Sequence, residues 1–304
     1  MSDKTSFSWL RKVPLVGDRL ADRLEGAPVV PVLRLSGVIG GSAPLRKGGL
    51  SLADLAEQIE HAFERPRAAA VAIAINSPGG SPVQSSLIAR RIMDLSREKE
   101  VPVFAFCEDV AASGGYWLAC AADEIYADAS SIVGSIGVVS AGFGFPALLE
   151  KAGVERRVHT AGDKKAILDP FAPENPDDVA HLKELQREIH QQFKEHVRAN
   201  RGDRLGGASG VDEDLLFSGA FWTGERAVEM GLVDGLGDLR TVMREKFGDK
   251  VRLPVMTEPK GWLQKKLGMS AVMTTAPSGW ASGGWASGLI GALDERAHWS
   301  RFGL

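Results

Sequence analysis

Two apolar runs that are each followed by a glycine pair constrain the fold of this chain more than any other feature of its sequence. The first run, Val71–Ile75, precedes the pair at 79–80, and the second, Val101–Phe106, precedes the pair at 114–115. An apolar run without alternation is typical of a strand buried on both faces, and a helical pattern follows each glycine pair. Two strand–turn–helix units in succession predict an α/β fold with a mostly parallel sheet.

The rest of the chain continues this alternation of strands and helices. We predict strands at Val29–Val38 and Glu155–Thr160, a helix at Ser51–Glu64 with Ser51 as its N-cap, and a long amphipathic helix at Glu174–Asn200. The content of 44% hydrophobic and 25% charged residues is typical of a globular protein.

Ser113 lies at the second of the two turns, directly before Gly114 and Gly115. Glycine lets the backbone bend sharply, and the N-terminus of the next helix favours negative charge, so this serine is well placed to act as a nucleophile. A serine at the start of a helix is also the ordinary N-cap residue. Taken alone, the residues around Ser113 fit both interpretations.

The first turn carries a second feature that acyl-transfer chemistry uses. Backbone N–H groups freed at a strand-to-helix turn can bind a developing oxyanion, and glycine is required where a substrate approaches the main chain closely. Gly79 and Gly80 are followed by Ser81, a predicted N-cap, and by Pro82 at the first helical position. Two such turns in tandem favour the nucleophile interpretation of Ser113.

Four motifs then follow one another in the order Asn76–Gly80, Ala111–Tyr116, Gly134–Val138 and Trp222–Asp234. They resemble the signal peptide peptidase A family of serine proteases, which shares a fold superfamily with the Clp protease proteolytic subunit and the crotonases. The resemblance implies a crotonase-like or Clp protease-like fold of repeated ββα units. It also implies a hydrolase, a serine endopeptidase that works through an acyl-enzyme.

The base that activates the serine is not a histidine in this interpretation, since His61 and His159 are isolated and none of the 6 histidines stands out as a partner. A neutral lysine can replace histidine as the base. Its pKa must then fall from about 10.4 to about 7 to 8, which burial achieves by disfavouring the ammonium form.

The resemblance assigns the catalytic residues. Its family uses a Ser/Lys dyad with the lysine in a Gly-x-x-Lys segment shortly before a proline, and 162–170 contains that pattern with Lys165 as the lysine. A further serine of the family, matched here by Ser135, holds the lysine. The alternative for Lys165 and its neighbour Lys164 is an exposed loop pair, which is what most lysines are.

The oxyanion hole is assigned by the same resemblance. The backbone N–H of Gly114, directly after the nucleophile, is one donor, and an N–H of the 79–80 turn is the other. Which of Gly79 and Gly80 donates stays open from the sequence.

Composition and motifs exclude several other function classes. A net charge of -3 offers no basic excess for nucleic acid, and there is no phosphate-loop pattern for a nucleotide. The histidines show no metal-ligand spacing, and we expect His181, His190 and His196 to lie on the solvated face of the long helix. We therefore predict no cofactor, no metal ion and activity independent of ATP.

Three functions fit the superfamily. The first is a peptidase that acts on signal-peptide remnants or other small unstructured or membrane-associated peptides. A crotonase-type enzyme acting on acyl-CoA thioesters and a non-catalytic oligomeric scaffold are the alternatives, because a fold does not fix a function. The intact set of Ser113, Ser135 and Lys165 favours the peptidase. The resemblance further implies a homo-oligomer, with the dyad formed either within one protomer or between neighbours.

The chain divides into an N-terminal extension (1–27), the peptidase domain (28–250) and a tail rich in Trp, Gly and Ser (251–304). The extension shows no signal-peptide pattern. It is either an amphipathic segment that contacts a membrane or a partner, or a segment that packs on the domain of its own chain. If the chain contacts a membrane, we expect the contact to be peripheral and to be made by residues 1–26 and 267–293. We predict a cytoplasmic protein, peripheral at the inner face of the membrane if the termini bind there, with Cys107 and Cys120 as reduced core residues.

Overall fold

The computed structural model describes residues 26–40, 50–206, 210–256 and 296–303. These residues form one sheet whose strands are β1 (Val32–Ser36), β2 (Val71–Ser77), β3 (Val103–Ala112), β4 (Glu124–Ala127), β5 (Ile132–Gly134), β6 (Phe221–Thr223) and β7 (Gly235–Leu236). The strand order is β1-β2-β3-β4-β7, with β5 paired to β3 and β6 paired to β5. Every pair is parallel except β5 with β6. The predicted α/β fold with a mostly parallel sheet is confirmed.

Helices connect the strands and pack on the sheet. They are α1 (Leu52–Phe63), α2 (Pro82–Lys99), α3 (Gly114–Ala119), α4 (Pro146–Lys151), α5 (Pro176–Arg201), α6 (Glu213–Leu216), α7 (Gly224–Glu229) and α8 (Leu239–Phe247). The Oγ of Ser51 caps α1 as predicted, accepting a hydrogen bond from the Asp54 amide at 3.2 Å. The side chains of Leu55, Ile59 and Phe63 are buried at the helical spacing that the sequence shows.

An apolar layer covers each face of the sheet. The larger layer includes residues of α1, α2, α3 and α5, and the smaller layer packs against α8 on the other face. Cys107 and Cys120 belong to the larger layer and are free thiols, as predicted for core residues. Burial raises the pKa of each thiol to about 12.

Two strand predictions differ from the structure. The predicted strand at Glu155–Thr160 is wrong, because these residues are exposed and have no strand conformation. An isolated extended segment has no neighbour to satisfy its backbone, and the described residues place no sheet edge beside it. In contrast, β3 continues past Phe106 to Ala112, because its first half pairs with β4 and its last residues pair with β5.

A buried ion pair fixes the C-terminal end of α5. The Arg201 side chain is 1% exposed and its Nη1 lies 2.7 Å from Oδ2 of Asp234. Arg201 also donates to the carbonyl of Gly231, and Asp234 accepts from the amide of Ile125. Burial alone would raise the pKa of the Asp234 carboxyl, but the hydrogen bonds from Arg201 and Ile125 outweigh burial and hold that pKa below its ordinary value.

The outer edge of β1 is paired as well. Val29 and Val32 form parallel bridges with Arg252 and Val255, so 251–256, assigned above to the tail, lies along the sheet. The predicted extension, except for its last two residues, and the tail from 257 to 295 lie outside the described residues. Among the helices that are described, none is both long enough and apolar enough to cross a membrane.

Candidate active site

The end of β3 delivers Ser113 to the start of α3. Its backbone has φ 52° and ψ -120°, a conformation that non-glycine residues adopt at an energetic cost. The Ser113 amide donates to the Gly134 carbonyl at 2.8 Å, and the Ser113 carbonyl accepts from Trp117 at 3.0 Å. Its side chain makes no capping hydrogen bond to α3. The hydroxyl of Ser113 therefore does not serve as an N-cap, although the residue occupies the N-cap position.

The helix behind the serine is held rigidly in the core. Every residue of α3 is buried, and the Tyr116 hydroxyl donates to the Leu232 carbonyl at 2.7 Å. Trp117 stacks on Phe193 of α5 with ring centroids 4.7 Å apart. Because α3 cannot shift without breaking these contacts, they also hold Ser113, the residue directly before α3, in position.

The 79–80 turn lies against the serine. A Cβ built on Gly79 would stand 2.8 Å from the Ser113 Cβ and 2.9 Å from the Gly114 nitrogen, and the φ of Gly79 is +107°. Only glycine fits there, because a side chain would collide with Ser113 and would also require a strained backbone. Gly80 approaches Ile39 just as closely, since its Cβ would lie 2.2 Å from the Ile39 carbonyl oxygen.

The backbone donors of the two turns differ in their hydrogen bonds. The Gly79 N–H donates to the Ser77 Oγ at 3.2 Å. The N–H groups of Gly80 and Gly114, in contrast, have no partner among the residues that the structure describes. Of the two candidates left open by the sequence, Gly80 is therefore the one whose N–H is available to an oxyanion.

Sheet register brings Ser135 beside Ser113. Ala112 of β3 pairs with Gly134 of β5, so the two serines are the next residues on neighbouring parallel strands. Such strands lie about 4.8 Å apart. Ser135 is 4% exposed and has φ 54°, and its amide donates to the Ala220 carbonyl at 2.7 Å. The structure thus unites Ser113, Ser135 and the predicted oxyanion glycines.

Lys165 does not join this group within one chain. It is exposed, and its Nζ has no hydrogen bond or ion pair to any described residue. Lys164 lies 3.7 Å from Asp178. The desolvation of Lys165 expected from the sequence is absent in the single chain, because none of the residues from 139 to 175 is buried. We call this segment, 139–175, the arm.

Two histidines of α5 are partly buried and hydrogen-bonded to the main chain, whereas the sequence predicted a solvated face. His190 Nε2 donates to the Ile136 carbonyl at 3.0 Å, and His196 Nε2 donates to the Trp117 carbonyl at 3.0 Å. Burial lowers the pKa of His196 below its ordinary value, although its hydrogen bond to Trp117 acts in the opposite direction. Through these bonds α5 contacts both segments that carry the serines.

The sequence does not predict these two hydrogen bonds, because the spacing of the histidines indicates only that they lie on one face of a helix. A weak signal was present, since His196 lies between Phe193 and Val197, which are buried. The described residues contain no group of three or more His, Cys, Asp or Glu side chains arranged to hold a metal ion.

A family comparison agrees with this geometry. Residues 96–250, which include both serines and Lys165, match the model of Peptidase family S49. The chain belongs to peptidase family S49. The resemblance to signal peptide peptidase A is thereby confirmed, and the match agrees with the expected serine-type peptidase class.

Three relatives illustrate the extent of the similarity in family S49. A putative protease, slr0021, of Synechocystis sp. is 32% identical over 219 residues, which is 70% of this chain and 76% of that protein. The chloroplastic serine protease SPPA of Arabidopsis thaliana is 32% identical over 219 residues, 70% of this chain and 31% of that protein. A Brucella abortus protein named Na(+)/H(+) antiporter NhaA is 51% identical over 276 residues, 90% of this chain but 37% of that protein. The chain therefore spans about a third of the length of the last two relatives.

Replacing Gly79 with alanine tests the close contact between the two turns. We expect kcat for peptide hydrolysis to fall about 100- to 1,000-fold, because the new Cβ would displace Ser113 and fill the space before the Gly114 N–H. Stopped-assay kinetics on purified protein would measure it. Gly248→Ala is the matched control, since Gly248, which follows α8, also has positive φ (86°) but has nothing within 4 Å of the added Cβ. Equal losses in both variants would contradict a local effect at Ser113.

Proposed function

We propose that this chain is a serine endopeptidase that uses a Ser113/Lys165 dyad. The Ser113 Oγ attacks the peptide carbonyl while the neutral Lys165 amine accepts the serine proton and then passes it to the leaving amine. Water, deprotonated by the same lysine, hydrolyses the acyl-enzyme and restores the serine. The N–H groups of Gly80 and Gly114 bind the oxyanion of each tetrahedral intermediate.

The single observation that carries this proposal is the conformation of Ser113. A serine with positive φ is held at a strand-to-helix turn, its side chain does not cap the helix, and two backbone N–H groups without partners in the described chain accompany it. Strained residues of this kind persist where the surrounding structure over-determines them, which is typical of catalytic positions. A structural serine would have no need of either feature.

We further propose that Lys165 reaches the serine of a neighbouring copy. The arm exposes eight large apolar side chains, which are Val139, Phe143, Phe145, Leu148, Val154, Val158, Leu168 and Phe171. Exposed apolar surface of this extent marks an interface. Contact with a second copy would remove the Lys165 ammonium group from water and lower its pKa, as a general base requires. Residue Ser135 would then hold the free amine beside Ser113.

Small unstructured peptides are the proposed substrates, among them signal-peptide remnants and other membrane-associated peptides. The support is membership of family S49 together with the printed name of an Enterococcus faecium relative, putative signal peptide peptidase SppA, which is 29% identical over 218 residues. A turn lined by glycine backbone accepts an extended chain that approaches closely, whereas a folded protein could not enter it.

Labelling and hydrolysis by the purified full chain test the proposed function. We expect a fluorophosphonate probe to modify Ser113, located by peptide mass mapping, and a panel of fluorogenic apolar peptides to be cleaved without ATP. Oligomer size would be recorded by light scattering in the same preparation. An assembled protein that neither reacts with the probe nor cleaves any peptide would overturn the proposal. Binding of a coenzyme A ester by calorimetry would then favour the crotonase-type alternative.

A further inference from the structure

A cavity of about 490 Å³ lies between α5 and the segment that follows Ser135. It is lined by Val138, Ala180, Lys183, Gln186, Arg187 and His190. Two of these residues carry a permanent positive charge, one is a histidine, and none is acidic. The cavity is therefore a cationic site in a chain whose net charge is -3.

The positive groups of the cavity have no carboxylate partner. Neither Lys183 nor Arg187 forms an ion pair with a described residue, and the Arg187 Nε donates only to the Lys183 carbonyl, at 3.3 Å. They are four residues apart on α5, a spacing at which like charges repel. Glu184 and Glu188 lie nearby on the same helix, Glu184 only three residues before Arg187, yet no ion pair joins either of them to a basic side chain of the cavity. A basic pair arranged in this way is complementary to an anion that comes from outside the chain.

The histidine of the cavity is hydrogen-bonded to the segment that carries Ser135. His190 Nε2 donates to the Ile136 carbonyl, the residue directly after Ser135. The other ring nitrogen, Nδ1, has no hydrogen-bond partner among the described residues. The wall of the cavity is thus joined by one hydrogen bond to the segment that carries Ser135.

The cavity is within reach of a peptide bound at Ser113. The Ser113 amide is bonded to the Gly134 carbonyl, and Val138, which lines the cavity, is four residues further along the chain. Four residues span at most about 14 Å, which is also the length of four residues of an extended peptide. A residue of the substrate about four positions or fewer from the cleaved bond can therefore lie over the cavity.

We propose that this cavity binds a carboxylate of the peptide substrate through Lys183 and Arg187. The carboxylate is either an acidic side chain or the free C-terminus, and it lies within about four residues of the cleaved bond. The inference rests on the proposed peptidase function and specifies its substrates: apolar peptides that carry one acid group near the cleavage point.

Matched peptides test this specificity. One series places Glu or Gln at each of the four positions on either side of the cleaved bond, and a second compares a C-terminal acid with its amide. We expect KM of the best acid-bearing peptide to be about tenfold lower than that of its neutral partner, because the neutral peptide lacks one charge-assisted hydrogen bond to the cavity. The two peptides should have similar kcat values. The preference should weaken in high salt. The two series distinguish a side chain from the C-terminus as the source.

Substitutions in the cavity complete the test. Lys183→Gln with Arg187→Gln should abolish the acid preference while neutral peptides are cleaved as before. Arg244→Gln, which removes an exposed charge from α8, should leave the preference unchanged. Equal KM values for acid and neutral peptides in the unmodified chain, or a preference that survives in the double variant, would overturn the inference.

A binding measurement separates this inference from the proposed function. Fluorescence anisotropy of the same labelled peptides with the Ser113→Ala full chain requires no turnover. If the unmodified chain cleaves no peptide but the acid-bearing peptides still bind about tenfold more tightly, the peptidase proposal fails and the carboxylate site stands. If cleavage occurs without any binding preference, the site fails and the peptidase stands.

Discussion

We expect Ser113→Ala and Lys165→Ala each to abolish peptide hydrolysis, and we expect a mixture of the two inactive proteins to recover part of it. Each substitution should lower kcat by about 10⁴-fold or more, because nucleophile and base act as a unit. Recovery in the mixture follows from the arm, which exposes Lys165 in the single chain. A Lys165→Ala subunit contributes the serine, and its Ser113→Ala neighbour contributes the lysine.

The size of the recovery is itself informative. If subunits exchange freely and each site joins two neighbours, about one quarter of the sites in an equal mixture contain both groups. Activity would be measured with a fluorogenic peptide after the oligomers are dissociated and reassembled together. Mixing Lys165→Ala with the double variant is the control and should give no activity. No recovery from a correctly assembled mixture would assign the dyad to one chain.

Lys164→Ala separates the two adjacent lysines. The side chain of Lys164 lies 3.7 Å from Asp178 at the start of α5. We expect the Lys164→Ala variant to retain most of the peptidase activity. If the Lys164 variant were inactive and the Lys165 variant active, the catalytic base would be Lys164 instead.

Arg201→Met is expected to produce the largest loss of stability. Removing one partner of a buried ion pair costs about 3 to 5 kcal/mol in the free energy of unfolding, because the remaining charge is buried without compensation. Asp234 would then keep the amide of Ile125 and the partly exposed Arg204, whose Nη1 lies 3.2 Å from its Oδ1, so we expect a loss at the lower end of that range. Urea unfolding followed by circular dichroism at pH 7.5 would measure the loss.

Arg198→Met is the matched control on the same helix. Its ion pair with Glu213 is solvent-exposed on both sides, and exposed pairs contribute about 1 kcal/mol or less. Similar losses in the Arg198 and Arg201 variants would show that burial of the Arg201–Asp234 pair is not what matters. Replacing both Arg201 and Asp234 with apolar residues should recover part of the stability, since no uncompensated charge would remain.

The sequence predicts the local geometry of the site well, because that geometry is encoded locally. The apolar strand, the serine and the two glycines that follow it predict the turn at Ser113 that the structure shows. The choice between Gly79 and Gly80 as the proposed oxyanion donor also depends on a nearby residue. The Oγ of Ser77, two residues before Gly79, accepts a hydrogen bond from the Gly79 N–H. The strand predicted at Glu155–Thr160 is wrong, because an extended segment forms a stable strand only where a partner strand is available.

The supporting contacts could not be predicted, because they join distant parts of the chain. The hydrogen bonds of His190 and His196 connect residues 54 and 79 positions apart, and the Arg201–Asp234 pair spans 33. Helical spacing shows which face of α5 is apolar but not which carbonyl a polar side chain on its border will reach. The exposure of Lys165 could not be predicted either, because the sequence around a lysine does not show which other residues lie close enough to bury it.

The two cysteines of the core have a practical consequence for studying this chain. Alkylating reagents attack the thiolate, and both thiols are buried with pKa values raised to about 12. This chain has 2 cysteines, so no further thiol of the chain competes with an introduced one. A single cysteine introduced on the arm could therefore carry a fluorophore or spin label while Cys107 and Cys120 stay in place. Reaction at the native pair would then report that the core had opened.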